Sequence, residues 1–233
     1  MTRKLRRLLW PGVMALAMVA VLLGLGTWQV RRLAWKQGVL ADIARAEAAA
    51  PTPLGPGQPP PFAKVAVTGR LRADLAALYG SDVRDTPEGP TLGAFLIEPL
   101  VRADGPPVLV ERGWVPETRG RPLAEPGQDV TVTGYVHPAE TPGWFSASDD
   151  PAGRRFFTLD PAAIGSALDL PRIAPFVLVA LGPAPPEGYP DPAKHLPRPP
   201  NDHLQYAITW YGLAAALVVI FAVWSRKVLR DAG

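Results

Sequence analysis

The chain contains no cysteine. That excludes a disulfide framework, thiolate zinc, an iron–sulfur cluster and a CxxC redox or copper-transfer site. It leaves the compartment open, because a folded domain outside the cytoplasm can do without disulfides. The fingerprints of the common enzyme classes are missing too: there is no GxSxG, Walker A, GxGxxG or HExxH. A non-catalytic role is therefore expected. Histidine is scarce, so any imidazole chemistry must come from His137, His195 or His203. No internal repeat is visible.

Nor is there an excess of positive charge where a nucleic-acid surface would need it. The formal net charge is +3, from 24 Lys and Arg against 21 acids. Arg3, Lys4, Arg6 and Arg7 precede the first apolar run, and Arg226, Lys227 and Arg230 follow the second, which leaves 17 basic residues between. Those 17 face 20 of the 21 acids, so the middle of the chain is net −3. The basic character belongs to the ends and reports topology; no nucleic-acid partner is expected.

What the chain does have is two long apolar runs. Residues 8–30 are uncharged and mostly apolar, and residues 204–225 are equally free of charge. Each is long enough to cross a bilayer core. The first run is long for a signal peptide, and Arg31, Arg32 and Lys36 follow it before any small-residue cleavage pattern. The second carries Trp210, Tyr211 and Trp224 as interfacial anchors and closes on a basic cluster. Seven residues before the first span leave no room for an organellar transit peptide, so a bacterial inner membrane is expected. The positive-inside rule then puts residues 1–7 and 226–233 in the cytoplasm and the region between the spans in the periplasm.

Proline is abundant, at 29 residues, but clusters in 51–61 and 182–200. Both stretches read as stiff, extended connectors. Residues 31–61 are expected as a helical extension over 33–50, Ala-rich and free of proline, followed by the first Pro-rich linker; 182–203 form the second linker. Between them, 62–181 read as a domain of short strands: 64–71 with Val65 and Val67 on one face, 94–101, 108–115, 130–136, 155–159 and 176–181. The tetrad Arg102-Ala103-Asp104-Gly105 signals a hairpin, and Asp160-Pro161 signals the start of one short helix. The expected fold class is an α+β membrane protein, with terminal transmembrane helices flanking a mainly antiparallel β domain.

Within this frame Asp149-Asp150, ahead of Pro151, reads as a solvated turn; His137 lies at a strand end and His195 in a linker. His203 stands at the mouth of the second span, with Tyr206, Ala207 and Trp210 on its helical face. Two readings stay open: a headgroup-level belt of His, Tyr and Trp, or a ligand, since polar groups at membrane depth lean functional. Antiparallel spans bring Trp28 and Gln29 to the same leaflet as His203 and Tyr206, with Trp210 ~10 Å deeper along its helix. Gly24 and Gly26 would permit close helix approach. One imidazole, an aromatic surface and the nearby Arg31 and Arg32 are the parts a haem pocket needs, though lipid anchoring uses the same residues.

Three blocks carry a resemblance. Residues 26–36 (GTWQVRRLAWK), 108–116 (VLVERGWVP) and 201–211 (NDHLQYAITWY) are similar, in order, to motifs of the surfeit-locus (Shy-type) family of cytochrome c oxidase assembly factors. The likeness covers essentially the whole chain. It implies a bacterial factor that binds haem a and assists its insertion into subunit I of a haem–copper oxidase of the respiratory chain. Subunit I, a haem a synthase and the lipid bilayer are then its partners. The alternative it leaves is a non-haem scaffold for nascent subunit I. The family's proposed axial ligand to the haem iron falls on His203, with Trp210 beside it; Tyr206, Trp28, Gln29 and Arg31 complete the expected cofactor-binding set. The family's strand often reads Asn-Arg-Gly-Trp, whereas position 111 here is Glu, so residue 111 receives no role. Gly113 is expected at a bulge or close backbone approach, and Trp114 in the core.

Overall fold

Terminal helices and a central barrel make up the fold; the computed structural model describes residues 3–117, 129–186 and 188–230. Outside these lie the last three residues of the expected C-terminal tail and Glu187 of the second Pro-rich stretch, as do the side chains of the N-terminal basic cluster. The chain divides into two compact units, one of residues up to Asp42 and from Arg198 onward, the other Ile43–Pro197.

α1 (Arg3–Ala48), which belongs to the first unit as far as Asp42, continues unbroken past Val30, as the Ala-rich, proline-free sequence from residue 33 onward favours. Its partner α3 (His203–Arg230) ends on Lys227 and Arg230, whose charges suit a helix C-terminus. Both helices are long and apolar enough to cross a bilayer, and only 6% and 11% of their most apolar stretches are buried. Apolar surface left so bare fits lipid rather than water. The helices run antiparallel: Gln29 meets His203, Gly26 and Thr27 meet Tyr211, and Gly12 meets Phe221. The seam is built from Leu22, Gly26 and Gln29 on α1, spaced i, i+4, i+7, against Ala207 and Ala214 on α3. A Cβ at Gly26 would stand 2.7 Å from the Tyr211 ring, so the ring packs there because the side chain is missing; Gly24 faces open space.

The second unit is a closed barrel. β2 (Lys64–Leu71) pairs antiparallel with β6 (Asp129–Pro138), β6 with β8 (Phe176–Ala180), β8 in parallel with β5 (Val108–Pro116), and β5 antiparallel with β4 (Gly89–Val101). The far end of β4 closes the ring on β2 through Arg70↔Val101 and Leu71↔Leu100. Three strands extend it: β1 (Thr52–Pro53) beside β2, β3 (Ala77–Thr86) beside β4, and β7 (Arg155–Phe156) beside β3. The mainly antiparallel domain expected from the sequence is this barrel.

Alternation fills it. Val65, Val67, Leu100, Val108, Val110, Val136, Phe176 and Leu178 form one buried cluster. Leu109 and Val177, their neighbours in sequence, face the other way and, with Ile97, pack with Leu159, Ile164 and Leu168. That second layer is held down by α2 (Pro161–Ala167), whose N-cap is Asp160: its carboxylate accepts from Ala162 N at 2.9 Å, and Pro161 opens the first turn. The hairpin expected at residues 102–105 joins β4 to β5.

One irregularity shapes the barrel. Leu96 pairs with Gly113 but Ile97 with Glu111, so Arg112 is an extra residue on β5. The bulge turns Arg112 onto Glu98, where Nη1 meets Oε2 at 2.6 Å. Gly113 takes φ +130, and a Cβ there would collide with the Asp191 carbonyl. The next residue, Trp114, exchanges two backbone bonds of 2.9 Å with Asp191 and packs on Tyr189 at 5.4 Å between ring centres. Arg84 and Lys194 both pair with the Asp191 carboxylate. Through these contacts, a Leu181↔Ala193 bridge and the buried Leu196, the Pro-rich stretch as far as Pro197 groups with the barrel.

Candidate functional site

The site reading rests on the helix pair. His203 is the first residue of α3, and Gln29 sits on the buried stripe of α1 at 9% exposure. His203 Nδ1 lies 2.7 Å from Gln29 Oε1. Because Oε1 can only accept, Nδ1 carries the proton and Nε2 is left as the nitrogen with a free lone pair. A metal-ligating histidine is typically oriented in this way, by a second residue that fixes its tautomer. Deeper along the pair, Thr27 Oγ1 and Tyr211 OH lie 3.1 Å apart, so a second polar contact joins the helices.

The remaining residues of the expected set divide. Tyr206 follows His203 by one turn of α3 and is 54% exposed, and Trp210, a further turn on, is half-buried. On α1, Trp28 is 53% exposed and Arg31 is exposed. Trp28, Arg31 and Trp35 share a face of α1 rotated away from Gln29, and Arg32 lies over the Trp35 ring at 4.3 Å. The structure thus joins His203 to Gln29 directly and leaves the aromatic and guanidinium groups as the exposed surround of that pair.

The other histidines are used locally. His137 Nδ1 lies 2.9 Å from the Pro138 carbonyl, and His195 Nδ1 lies 2.9 Å from that of Leu196. Asp149 accepts from Phe157 N and Thr158 N, and Asp150 from Gly153 N, which makes the acid pair a loop staple. Among the described residues, no group of three or more His, Asp or Glu is arranged to hold a metal ion.

A second polar cluster, on the barrel, was not legible as one. Glu140 accepts from Leu159 N at 2.9 Å and from Tyr79 OH at 3.2 Å, with His137 Nε2 at 4.0 Å. Burial pushes the Glu111 carboxyl up to about 7; nearby Arg84 pulls against this and Glu140 adds to it. Burial likewise raises Tyr79 and Tyr135, so both stay protonated. On the other face of β4, Glu98 is 1% exposed and also raised by burial, held back by Arg112. The one available signal was a lone carboxylate inside the apolar run 94–101.

A pH dependence follows. The native Glu111 carboxyl titrates near 7, above its ordinary value of about 4.5, so the folded state binds the extra proton between those limits. Stability therefore rises as pH falls from about 7 towards 4.5, and the penalty is complete above 7. Melting the full-length protein in detergent should give a higher Tm at pH 5.5 than at pH 8. Glu111→Gln should remove most of that difference by raising the pH 8 value, a gain on the order of 2 kcal/mol. A wild type equally stable at both pH values would mean the carboxyl is not penalised.

Comparison with known proteins agrees with the blocks around these residues. The SURF1 family model matches residues 16–215. A SURF1-like protein of Rickettsia felis is 28% identical over 222 residues, covering 90% of this chain and 94% of that protein. One from Monosiga brevicollis is 29% identical over 231 residues, 91% and 86% of the two chains. Surfeit locus protein 1 of Homo sapiens is 29% identical over 228 residues, 89% of this chain and 74% of its own length. The matched region runs from the first apolar helix through the barrel to His203 and beyond, and the chain belongs to the SURF1 family.

Proposed function

We propose that this chain is a membrane-anchored assembly factor for a haem–copper terminal oxidase, holding haem a at His203 and assisting its passage to subunit I. The observation that carries the reading is the 2.7 Å bond from His203 to the buried Gln29, which leaves Nε2 free to bind iron as the axial ligand. Haem a is cargo in this scheme. Tyr206 and Trp210 on α3, and Trp28 on α1, offer apolar surface to a macrocycle, and Arg31 offers a cation to its propionates. No bond of the cargo is broken, which suits a chain without a catalytic motif. Subunit I and a haem a synthase are the partners on either side of the transfer.

Both helices lie in a bacterial inner membrane, with the termini cytoplasmic and the barrel periplasmic. A reporter active only in the cytoplasm, fused near Gly105, should be silent; an active fusion there would reverse the topology. The functional test is genetic: deleting the chain should lower assembled oxidase, and plasmid-borne wild type should restore it.

The competing reading is a scaffold that binds nascent subunit I without haem. It is favoured by the exposure of Trp28 and Tyr206, which suits an interfacial belt equally well.

A further inference from the structure

Among the described residues of the barrel unit, every large aromatic side chain is buried or half-buried except two neighbours. Trp114, Phe156 and Phe176 are each at most 2% exposed, whereas the adjacent Trp144 and Phe145 are each 100% exposed. We propose that Trp144 and Phe145 form a docking prong that inserts into an apolar, basic-rimmed pocket of a protein partner; that the partner is oxidase subunit I rests on the function proposed above.

The loop is built to present the two rings. Gly143 N donates to Ser146 Oγ at 2.8 Å and Ser146 N to Gly143 O at 3.1 Å, so a tight turn holds them at its tip. Both legs are fastened. On one side Glu140 and Leu159 exchange a backbone bond of 3.0 Å and a carboxylate bond of 2.9 Å. On the other, Asp150 and Arg155 exchange two backbone bonds, while Asp149 accepts from Phe157 N at 2.6 Å. A loop ordered in advance loses little freedom on binding, and a Trp–Phe pair is the composition of an interface hot spot.

Charge selects between a bilayer and a protein as the occupant. From Pro138 to Gly153 there is no Lys or Arg, while Glu140, Asp149 and Asp150 stand at the base. Arg154 and Arg155, which follow, are already engaged, Arg154 with the Asp74 carbonyl at 2.9 Å and Arg155 with the Glu117 carboxylate at 2.9 Å. Loops that insert aromatics into anionic lipid flank them with basic residues. This one repels such a surface and complements a pocket ringed by Lys or Arg.

The absence of native cysteine makes the test direct. Ala147→Cys places a single thiol in the full chain beside the prong, at an exposed position, with both rings intact. The labelled protein, carrying a solvatochromic dye, is reconstituted in phosphatidylglycerol–phosphatidylethanolamine vesicles with and without purified subunit I. Emission should be water-like in vesicles alone and shift to the blue when subunit I is added. In cells, Trp144→Ser/Phe145→Ser should lower assembled oxidase about tenfold at unchanged protein level and Tm. A blue shift in vesicles alone would make the prong a lipid anchor, and one that needs only a second copy of this chain would make it a self-contact. Either result, or water-like emission throughout, overturns the proposal. So does full oxidase assembly with the doubly substituted chain in a strain where deletion lowers it, and then the proposed function survives alone. If deletion itself leaves assembly intact, both fail.

Discussion

Gly113→Val should leave little folded protein. Valine is strongly disfavoured at φ +130, and its Cβ would meet the Asp191 carbonyl and come within 2.6 Å of Pro192 N. Neither obstacle is a flexible side-chain tip, so the stretch around Asp191 must leave the barrel edge. With it go the two backbone bonds between Trp114 and Asp191, the packing of Trp114 on Tyr189, and the ion pairs from Arg84 and Lys194. Strain and overpacking each cost about 1–3 kcal/mol, and together they consume much of a domain's ~5–15 kcal/mol of stability. Steady-state protein and Tm should therefore fall first, and oxidase activity only as a consequence. A variant that melts like wild type yet assembles no oxidase would turn residues 112–114 into a partner-contact surface.

The second large effect is expected at His203. On the proposed carrier function, His203→Ala removes the imidazole that would hold the haem iron, so haem should be lost altogether while the helices still insert. What the helix pair itself loses is one hydrogen bond, worth about 1 kcal/mol. Gln29→Leu makes a finer distinction, because it leaves the imidazole in place but removes the acceptor that fixes its tautomer. Weakening of haem affinity by about 10–100-fold is expected, with the protein still folded. Retention of full affinity in both variants would move the ligand elsewhere and strengthen the scaffold reading.

These effects trace back to signals of unequal strength in the sequence. Long uncharged runs and period-two alternation are local properties, so both terminal helices, the helical continuation of α1 and strands such as 64–71 could be read directly. Asp160-Pro161 carried its own cap chemistry. By contrast, β3 went unread because Gly80, Asp82, Arg84 and Asp85 break any alternation; it pairs with β4 across a register shift between Tyr79 and Asp82. Only the long partner strand explains it. In residues 182–197 proline density suggests an extended connector, and nothing local announces that Asp191 will bridge to Trp114 or that Leu196 will be buried. The bulge was half legible: glycine between Arg and Trp signalled an irregular strand, but the carboxylate that Arg112 would meet lies 14 residues away on β4. The His203–Gln29 contact spans 174 residues. Antiparallel span topology placed the two at one level of the membrane, whereas their hydrogen bond depends on the seam of Leu22, Gly26, Ala207 and Ala214.

The carrier reading stands or falls on one spectrum: the visible absorption of the full-length chain purified from cells that make haem a. Wild-type protein should carry haem a bands at close to one haem per chain, and His203→Ala should carry none at equal protein concentration. Colourless wild-type protein, from a strain whose oxidase nevertheless depends on the chain for assembly, would contradict the carrier account and leave a scaffold in its place.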